Sequence, residues 1–218
     1  MFLIMAPFLI CVLACLDAPI GDPETSKLNP KLTGVWLGKI EDDLTLLVLQ
    51  PFDKRTYLVG WFMSESDEDA DKGENPEKEA LQKEAANEEE AKPKDGEKKL
   101  DQINFKEGML FKGWLTTIGG QQFMCWEPKF VFDEKHGMKP KAWFVWKVIL
   151  RKNKLSLCLV EDEEDAGETT KEIEKFIKAN YLDDNELKDK DWTHYRKIDK
   201  SKYDEVAEAL EKMGVGGF

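Results

Sequence analysis

The chain has 218 residues with 32 Lys or Arg and 44 Asp or Glu, which gives a formal net charge of −12. An acidic surface of this size is repelled by phosphate backbones, so the charge predicts no nucleic-acid partner. With 41% hydrophobic residues the chain can bury a sizeable core, and its length predicts one domain or at most two small ones.

The chain begins with a short apolar run. Residues 2–13 are apolar apart from one proline and one cysteine, which is too short for a membrane-spanning helix of roughly 20 residues but suits the core of a secretory signal. The run ends in Val12-Leu13-Ala14-Cys15, which resembles a bacterial lipobox. In that family the chain is cut before the cysteine, whose sulfur and new amino group carry fatty acyl chains such as palmitate. The resemblance implies a signal peptide over residues 1–14, a lipidated Cys15 and a location in the bacterial cell envelope.

No Lys or Arg precedes the apolar run, whereas a secretory signal usually has a positive start. An ordinary cleaved signal and a buried N-terminal helix are the alternatives. Acyl chains contribute about 0.8 kcal/mol per buried CH₂, and stable anchoring takes at least two attachment signals. A multiply acylated Cys15 would therefore hold the protein on a membrane outside the cytoplasm, with the choice of inner or outer membrane left open.

Residues 15–31 predict a tether between the lipid and the domain. Pro19, Gly21, Pro23 and Pro30 stand there among polar residues, a composition typical of an extended linker. We therefore predict a single domain over residues 32–218.

Short runs rich in Val, Leu, Trp, Tyr and Phe predict β-strands through most of this domain. The predicted strands are Gly34–Glu41, Leu44–Gln50, Arg55–Met63, Ile103–Phe105, Met109–Ile118, Gln122–Trp126, Trp143–Arg151, Leu155–Glu161 and Trp192–Ile198. A turn at Glu107-Gly108 separates two of them. Lys152-Asn153-Lys154, a short polar loop between two apolar runs, gives the clearest hairpin.

An acidic insertion separates the third predicted strand from the fourth. Residues 64–100 contain 14 Asp or Glu and 7 Lys, so this stretch carries −7 of the total charge. It has no aromatic residue, and such a segment cannot bury enough surface to offset its ordering entropy. We predict a long, mostly disordered insertion between two strands.

The end of the chain predicts helices. Thr169 with Glu172 is a capping-box signature, and an apolar stripe at helical spacing follows. Ser201 with Asp204 predicts the start of a second helix. Many short strands in sequence, followed by a helix, a strand and a helix, predict a mainly β fold. We expect an antiparallel up-and-down meander closed into a barrel, since closure removes exposed strand edges.

The triplet Gly34-Val35-Trp36 resembles the Gly-x-Trp motif of lipocalins and related calycin barrels. In that family the tryptophan closes one barrel end and a basic residue from the end of the fold lies over it. The resemblance implies a lipocalin-like barrel in which Trp36 and Arg196 form the closure, with Lys197 as the competitor for the basic role. A cation over the indole face would add a cation–π contact.

Two cysteines remain beyond the proposed anchor, Cys125 and Cys158, each inside a predicted apolar strand. In an oxidising compartment they could form a disulfide. The alternative is two buried, unpaired thiols that behave as small hydrophobes.

Sequence motifs of catalysis are missing. His136 and His194 are far apart, and there is no zinc-ligand spacing, no nucleophile elbow and no glycine-rich phosphate loop. The sequence predicts no catalytic residue, no metal site and no cofactor, and therefore a protein that is not an enzyme.

The tryptophans in the predicted strands leave two hypotheses. In the first, Trp61, Trp114, Trp126 and Trp146 line a pocket in the barrel that binds a small hydrophobic ligand. In the second, these aromatics fill a solid core, and the protein is a structural or interaction protein of the envelope that binds a protein partner through its surface and its acidic insertion.

Overall fold

The structure is a computed structural model that describes residues 16–40, 43–64, 103, 105–131, 143–161, 166–183, 187 and 192–214. The predicted signal peptide, Cys15, His136 and the acidic insertion beyond Ser64 lie outside the described residues.

Eight antiparallel strands form a closed barrel in which each strand pairs with its neighbours in sequence and the last pairs with the first. The strands are β1 Gly34–Ile40, β2 Asp43–Pro51, β3 Tyr57–Ser64, β4 Phe105–Ile118, β5 Gln121–Val131, β6 Phe144–Arg151, β7 Lys154–Leu159 and β8 Trp192–Lys197. The predicted fold class, a mainly β antiparallel meander closed into a barrel, is confirmed.

The barrel has apolar residues on both faces of its wall. Alternate residues of each strand point inward and form the interior core, which includes Trp36, Leu47 and Phe111. The residues between them form two further apolar clusters on the outer face. Because strand residues alternate between faces, a wall that is apolar on both sides needs additional elements outside the barrel to cover it.

Two helices cover parts of the outer face. Helix α1 (Thr170–Asn180) has the predicted capping box between Thr169 and Glu172, and its buried stripe is Ile173, Phe176 and Ile177. Helix α2 (Tyr203–Lys212) buries its own stripe against β2 and β3. A 3₁₀ turn capped by Asp199 precedes α2, so the predicted second helix is present but begins at Tyr203, two residues after Ser201.

Strand β4 is longer than the sequence predicts. Ile103–Phe105 and Met109–Ile118 were expected as separate strands, but one strand runs from Phe105 to Ile118 and the predicted turn at Glu107-Gly108 is wrong. Gly108 has a packing role, since a Cβ there would lie 2.5 Å from the Phe62 ring. The absence of a side chain at Gly108 therefore allows the Phe62 ring on β3 to pack over the β4 backbone.

The predicted tether is packed onto the barrel over much of its length, so that prediction is wrong. In the segment of residues 16–31, here called the N-terminal strap, Leu16 forms an antiparallel bridge with Trp143 and is 1% exposed. Ile20 is fully buried, and its carbonyl accepts a 2.8 Å hydrogen bond from Trp114 Nε1. The Ser26 hydroxyl oxygen accepts a further bond from the Leu115 amide.

Candidate functional site in the barrel interior

The N-terminal strap closes one end of the barrel. Trp36 is fully buried, and its indole N–H donates to the Leu32 carbonyl at 2.8 Å. Tyr57 donates its hydroxyl proton to the Asn29 carbonyl at 3.1 Å and accepts from the Asn29 amide at 2.6 Å. The Tyr57 bonds tie the strap to β3, and the carbonyl of Leu32, directly after the strap, binds the Trp36 indole of β1, so this end of the barrel is plugged.

Lys197, rather than the predicted Arg196, is the basic residue over Trp36. Its ammonium lies 4.9 Å from the centroid of the indole ring and donates to the Lys31 carbonyl at 2.9 Å. Lys197 pairs with Trp36 across the strands, whereas Arg196 pairs with Leu37, and Leu37 belongs to an outer cluster. The prediction of Arg196 was wrong by one residue, which in a strand moves a side chain to the other face.

The Lys197 ammonium is partly desolvated in this position. Burial lowers the pKa of Lys197 below its usual value, and the charge of nearby Lys200 adds to the effect. The desolvation cost offsets part of the attraction between the ammonium and the indole face.

Three of the four predicted pocket tryptophans belong to the interior cluster. Trp126 is a buried member of it, and Trp61 and Trp146 are partly buried residues packed against it. Trp114 lies on the outer face under the N-terminal strap, so the prediction that it lines the interior is wrong. Its strand neighbours Gly113 and Leu115 occupy the inward-facing positions.

An aromatic cluster covers one side of the interior. The ring centroids of Trp126 and Trp146 are 5.0 Å apart, and those of Trp126 and Phe111 are 5.2 Å apart. Phe144 meets Phe111 edge to face at 5.6 Å. Such contacts add about 0.5–1.5 kcal/mol each beyond area burial, so they stabilise this apolar wall.

A hydrogen bond spans another part of the interior. Trp61 Nε1 donates to the Tyr195 hydroxyl oxygen at 3.2 Å, although β3 and β8 are separated by two strands. Burial raises the pKa of Tyr195 well above its usual value, so the phenol is neutral at physiological pH. Tyr195 was not predicted as an interior residue, although the two-residue period of a strand could have placed it on the same face as Lys197.

Four buried side-chain atoms have no hydrogen-bond partner in the described part of the chain, and all four belong to inward-facing positions. They are Trp126 Nε1, Trp146 Nε1, Thr45 Oγ1 and Asp43 Oδ1. Asp43 and Thr45 continue the two-residue spacing of Leu47 and Leu49 along β2, so they share the inward face with these interior residues. They lie on β2, four strands from β6 in the closed order of eight, and so stand opposite the wall that carries Trp146.

Sequence reasoning missed Asp43 and Thr45 because polar residues at the start of a strand are ordinary turn residues. The signal that could have found them is their two-residue spacing from Leu47. An unpaired buried polar atom costs free energy, and native proteins leave few of them. Their concentration on the inner surface of the barrel marks this region as the candidate site.

Some inward-facing residues of the described strands keep contact with solvent. Trp61, Trp146, Leu150 and Leu159 pack against the interior cluster and are only partly buried. These four side chains therefore retain partial contact with solvent, whereas Trp36 at the plugged end is fully buried.

Cys125 and Cys158 are buried and form no disulfide, and both belong to the outer cluster that α1 covers. They are on β5 and β7, with β6 between them, where Val145 pairs with Cys125 and Lys147 with Cys158. Strands two apart are about 9.6 Å from one another, which exceeds the roughly 7 Å Cα separation that a disulfide tolerates. The structure therefore favours the alternative of two buried thiols that behave as small hydrophobes, and burial raises the pKa of Cys125 to about 12.

A second pair of polar side chains lies on the outer face of the barrel. Ser156 and His194 are hydrogen-bonded at 2.9 Å between the hydroxyl oxygen and Nδ1, as a cross-strand pair on the exposed face of β7 and β8. Within the described residues, no group of three or more His, Cys, Asp or Glu side chains could hold a metal ion. Among the same residues, no helix has the length and apolarity needed to cross a membrane.

Comparison with known proteins adds no relative. The chain matches no protein-family model, no curated protein and no solved structure.

Proposed function

We propose that this protein is a membrane-anchored, lipocalin-like lipoprotein that binds a small hydrophobic ligand inside its barrel. The observation that carries the proposal is the aromatic wall of Trp126, Trp146, Phe111 and Phe144, which faces inward and is partly exposed at Trp146. Ligand pockets are typically apolar and aromatic with a few polar groups, and the interior has both kinds of group.

The apolar area left exposed inside the barrel favours a ligand of modest size. A partly exposed aromatic side chain retains apolar area in contact with water, and covering it contributes about 25 cal/mol per Å². A ligand that covers Trp146 and Leu159 and reaches Trp126 would gain from this term without separating the hydrogen-bonded pair of Trp61 and Tyr195. The plug around Trp36 would confine the ligand to the other side of the barrel.

The anchor is the second part of the proposal. Acylation of Cys15, as its resemblance to a lipobox cysteine implies, would hold the barrel in the bacterial cell envelope outside the cytoplasm. Cells that express the full chain with an alkyne-tagged palmitate should yield a labelled protein, and Cys15→Ser should abolish the label. Equal labelling of both chains would overturn the anchor and leave the pocket untouched.

Ligand binding is tested with a fluorescent hydrophobic probe, N-phenyl-1-naphthylamine, whose emission rises in an apolar site. We expect saturable binding by the purified protein and a loss of at least fivefold in affinity in Trp146→Ala. Trp192→Ala is the matched control, because Trp192 is a partly buried tryptophan that packs in the outer cluster. Absence of saturable binding, with native mass spectrometry showing no hydrophobe in protein from its own host, would refute the proposal.

The second candidate function is a structural or interaction protein of the envelope with a filled interior. The hydrogen bond between Trp61 and Tyr195 favours it, because side chains that meet across a barrel occupy part of the space that a ligand would need. This candidate predicts that deleting residues 65–100 abolishes capture of a protein partner while the barrel stays folded. Unchanged capture by the shortened chain would refute it.

A further inference from the structure

The interior contains hydrogen-bond donors without acceptors, and these indicate the chemistry of a ligand that would bind there. Trp126 Nε1 and Trp146 Nε1 are both buried without an acceptor in the described part of the chain, and their rings are 5.0 Å apart. An indole N–H is a donor and never an acceptor. A purely aliphatic ligand would leave both donors unsatisfied, whereas a ligand with an acceptor oxygen would satisfy them.

The charge of the surrounding residues selects a neutral acceptor. Asp43, whose Oδ1 is buried without a partner, lies on the facing strand, and a carboxylate there disfavours an anionic ligand in a medium of low dielectric constant. The inward-facing cation Lys197 is at the plugged end, where it covers Trp36 and donates to the Lys31 carbonyl. Among the described residues, an anionic headgroup would therefore face the Asp43 carboxylate, while the Lys197 ammonium lies at the plugged end.

From these contacts we infer that the ligand is a neutral hydrophobe with a carbonyl group, such as a ketone or an ester, whose oxygen accepts hydrogen bonds from Trp126 and Trp146. A carbonyl oxygen has two lone pairs and can accept from both indoles. Thr45 Oγ1 is a further group on the facing wall that can pair with a second polar atom of the ligand. This inference rests on the proposed function and specifies the chemistry of the same site.

The test compares 2-undecanone, undecane and decanoate by displacement of N-phenyl-1-naphthylamine at pH 7. Phenylalanine keeps an aromatic ring and removes the N–H, so Trp126→Phe and Trp146→Phe should each weaken the ketone about tenfold and change undecane less than twofold. Trp114→Phe, a matched change on the outer face, should alter neither affinity. Decanoate should bind at least tenfold more weakly than the ketone.

A second readout needs no variant. The carbonyl stretching frequency of ¹³C-labelled 2-undecanone should fall on binding relative to its value in hexane, because hydrogen bonding weakens the C=O bond. An unshifted band, or equal losses of ketone and alkane affinity in the two variants, would overturn the inference while the hydrophobic site stands. Tighter binding of decanoate would overturn the neutral headgroup, and displacement of the probe by none of the three compounds would overturn the inference, whereas absence of saturable probe binding would count against the proposed function itself.

Discussion

Ile20 offers a decisive test of whether the N-terminal strap is part of the folded domain. The side chain is fully buried in the outer cluster with Trp114 and Phe123. Ile20→Ala removes three buried carbon groups, and each such group contributes about 0.8 kcal/mol to stability. The cavity that is left, if it closes incompletely, adds to this loss of stability. We expect the free energy of unfolding to fall by about 3 kcal/mol, a large part of the 5–15 kcal/mol typical of native proteins.

The measurement is urea unfolding of the purified protein followed by tryptophan fluorescence. The midpoint should fall while the slope with denaturant stays unchanged, as expected for a native-state defect. Lys27→Ala, an exposed position in the same strap, should change stability by less than about 0.5 kcal/mol. An Ile20→Ala protein as stable as the Lys27→Ala control would mean that the strap is a loose tether after all.

Four further predictions follow from the contacts. Lys197→Met should lower the unfolding free energy by about 1 kcal/mol in urea titrations, because the cation–π contribution is partly offset by desolvation. Arg196→Met should have a smaller effect. If Arg196→Met had the larger effect, the closure over Trp36 would be assigned to Arg196. Thr169→Ala should cost about 1 kcal/mol through the lost N-cap, seen as a lower melting temperature; no loss would exclude the cap. Hydrogen bonds from the cap hold the pKa of Glu172 below its usual 4.5, so Glu172 contributes stability above that pH and loses it as pH falls through the lowered value. The advantage of wild type over Glu172→Gln should therefore shrink in acid, and a constant difference would contradict this. With its pKa raised to about 12, Cys125 should resist iodoacetamide at pH 8 until the protein unfolds, and rapid labelling of the native protein would refute its burial.

The barrel was predictable because local signals agreed with one another. The loop Lys152-Asn153-Lys154 predicts a hairpin, and β6 and β7 flank it almost as expected, with Lys152 in a left-handed conformation at φ 54°. The capping box of Thr169 and Glu172 likewise needs only residues three apart. Hairpins and helix caps depend on residues close together in the chain, so the local sequence is sufficient to predict them.

The candidate site was only partly predictable because the wall is apolar on both faces. Alternation predicts which residues share a face, but it cannot say which face is inside when both are covered. Trp114 and Trp126 have the same chemistry and adjacent strands, yet one lies under the strap and the other in the interior. The strap itself was misjudged because its anchoring depends on two apolar side chains and on hydrogen bonds to the Trp114 indole and the Tyr57 hydroxyl, both distant in sequence, which composition does not reveal.

The packed strap changes how the barrel would sit at a membrane. A free tether of 16 residues could reach about 55 Å, enough for the domain to sample the surrounding space and meet distant partners. With Leu16 held against Trp143, an acyl group on Cys15 would leave about 4 Å of chain between lipid and barrel wall. The barrel would then rest against the headgroups with a fixed side towards them, close enough to take a hydrophobe directly from the bilayer or return one to it.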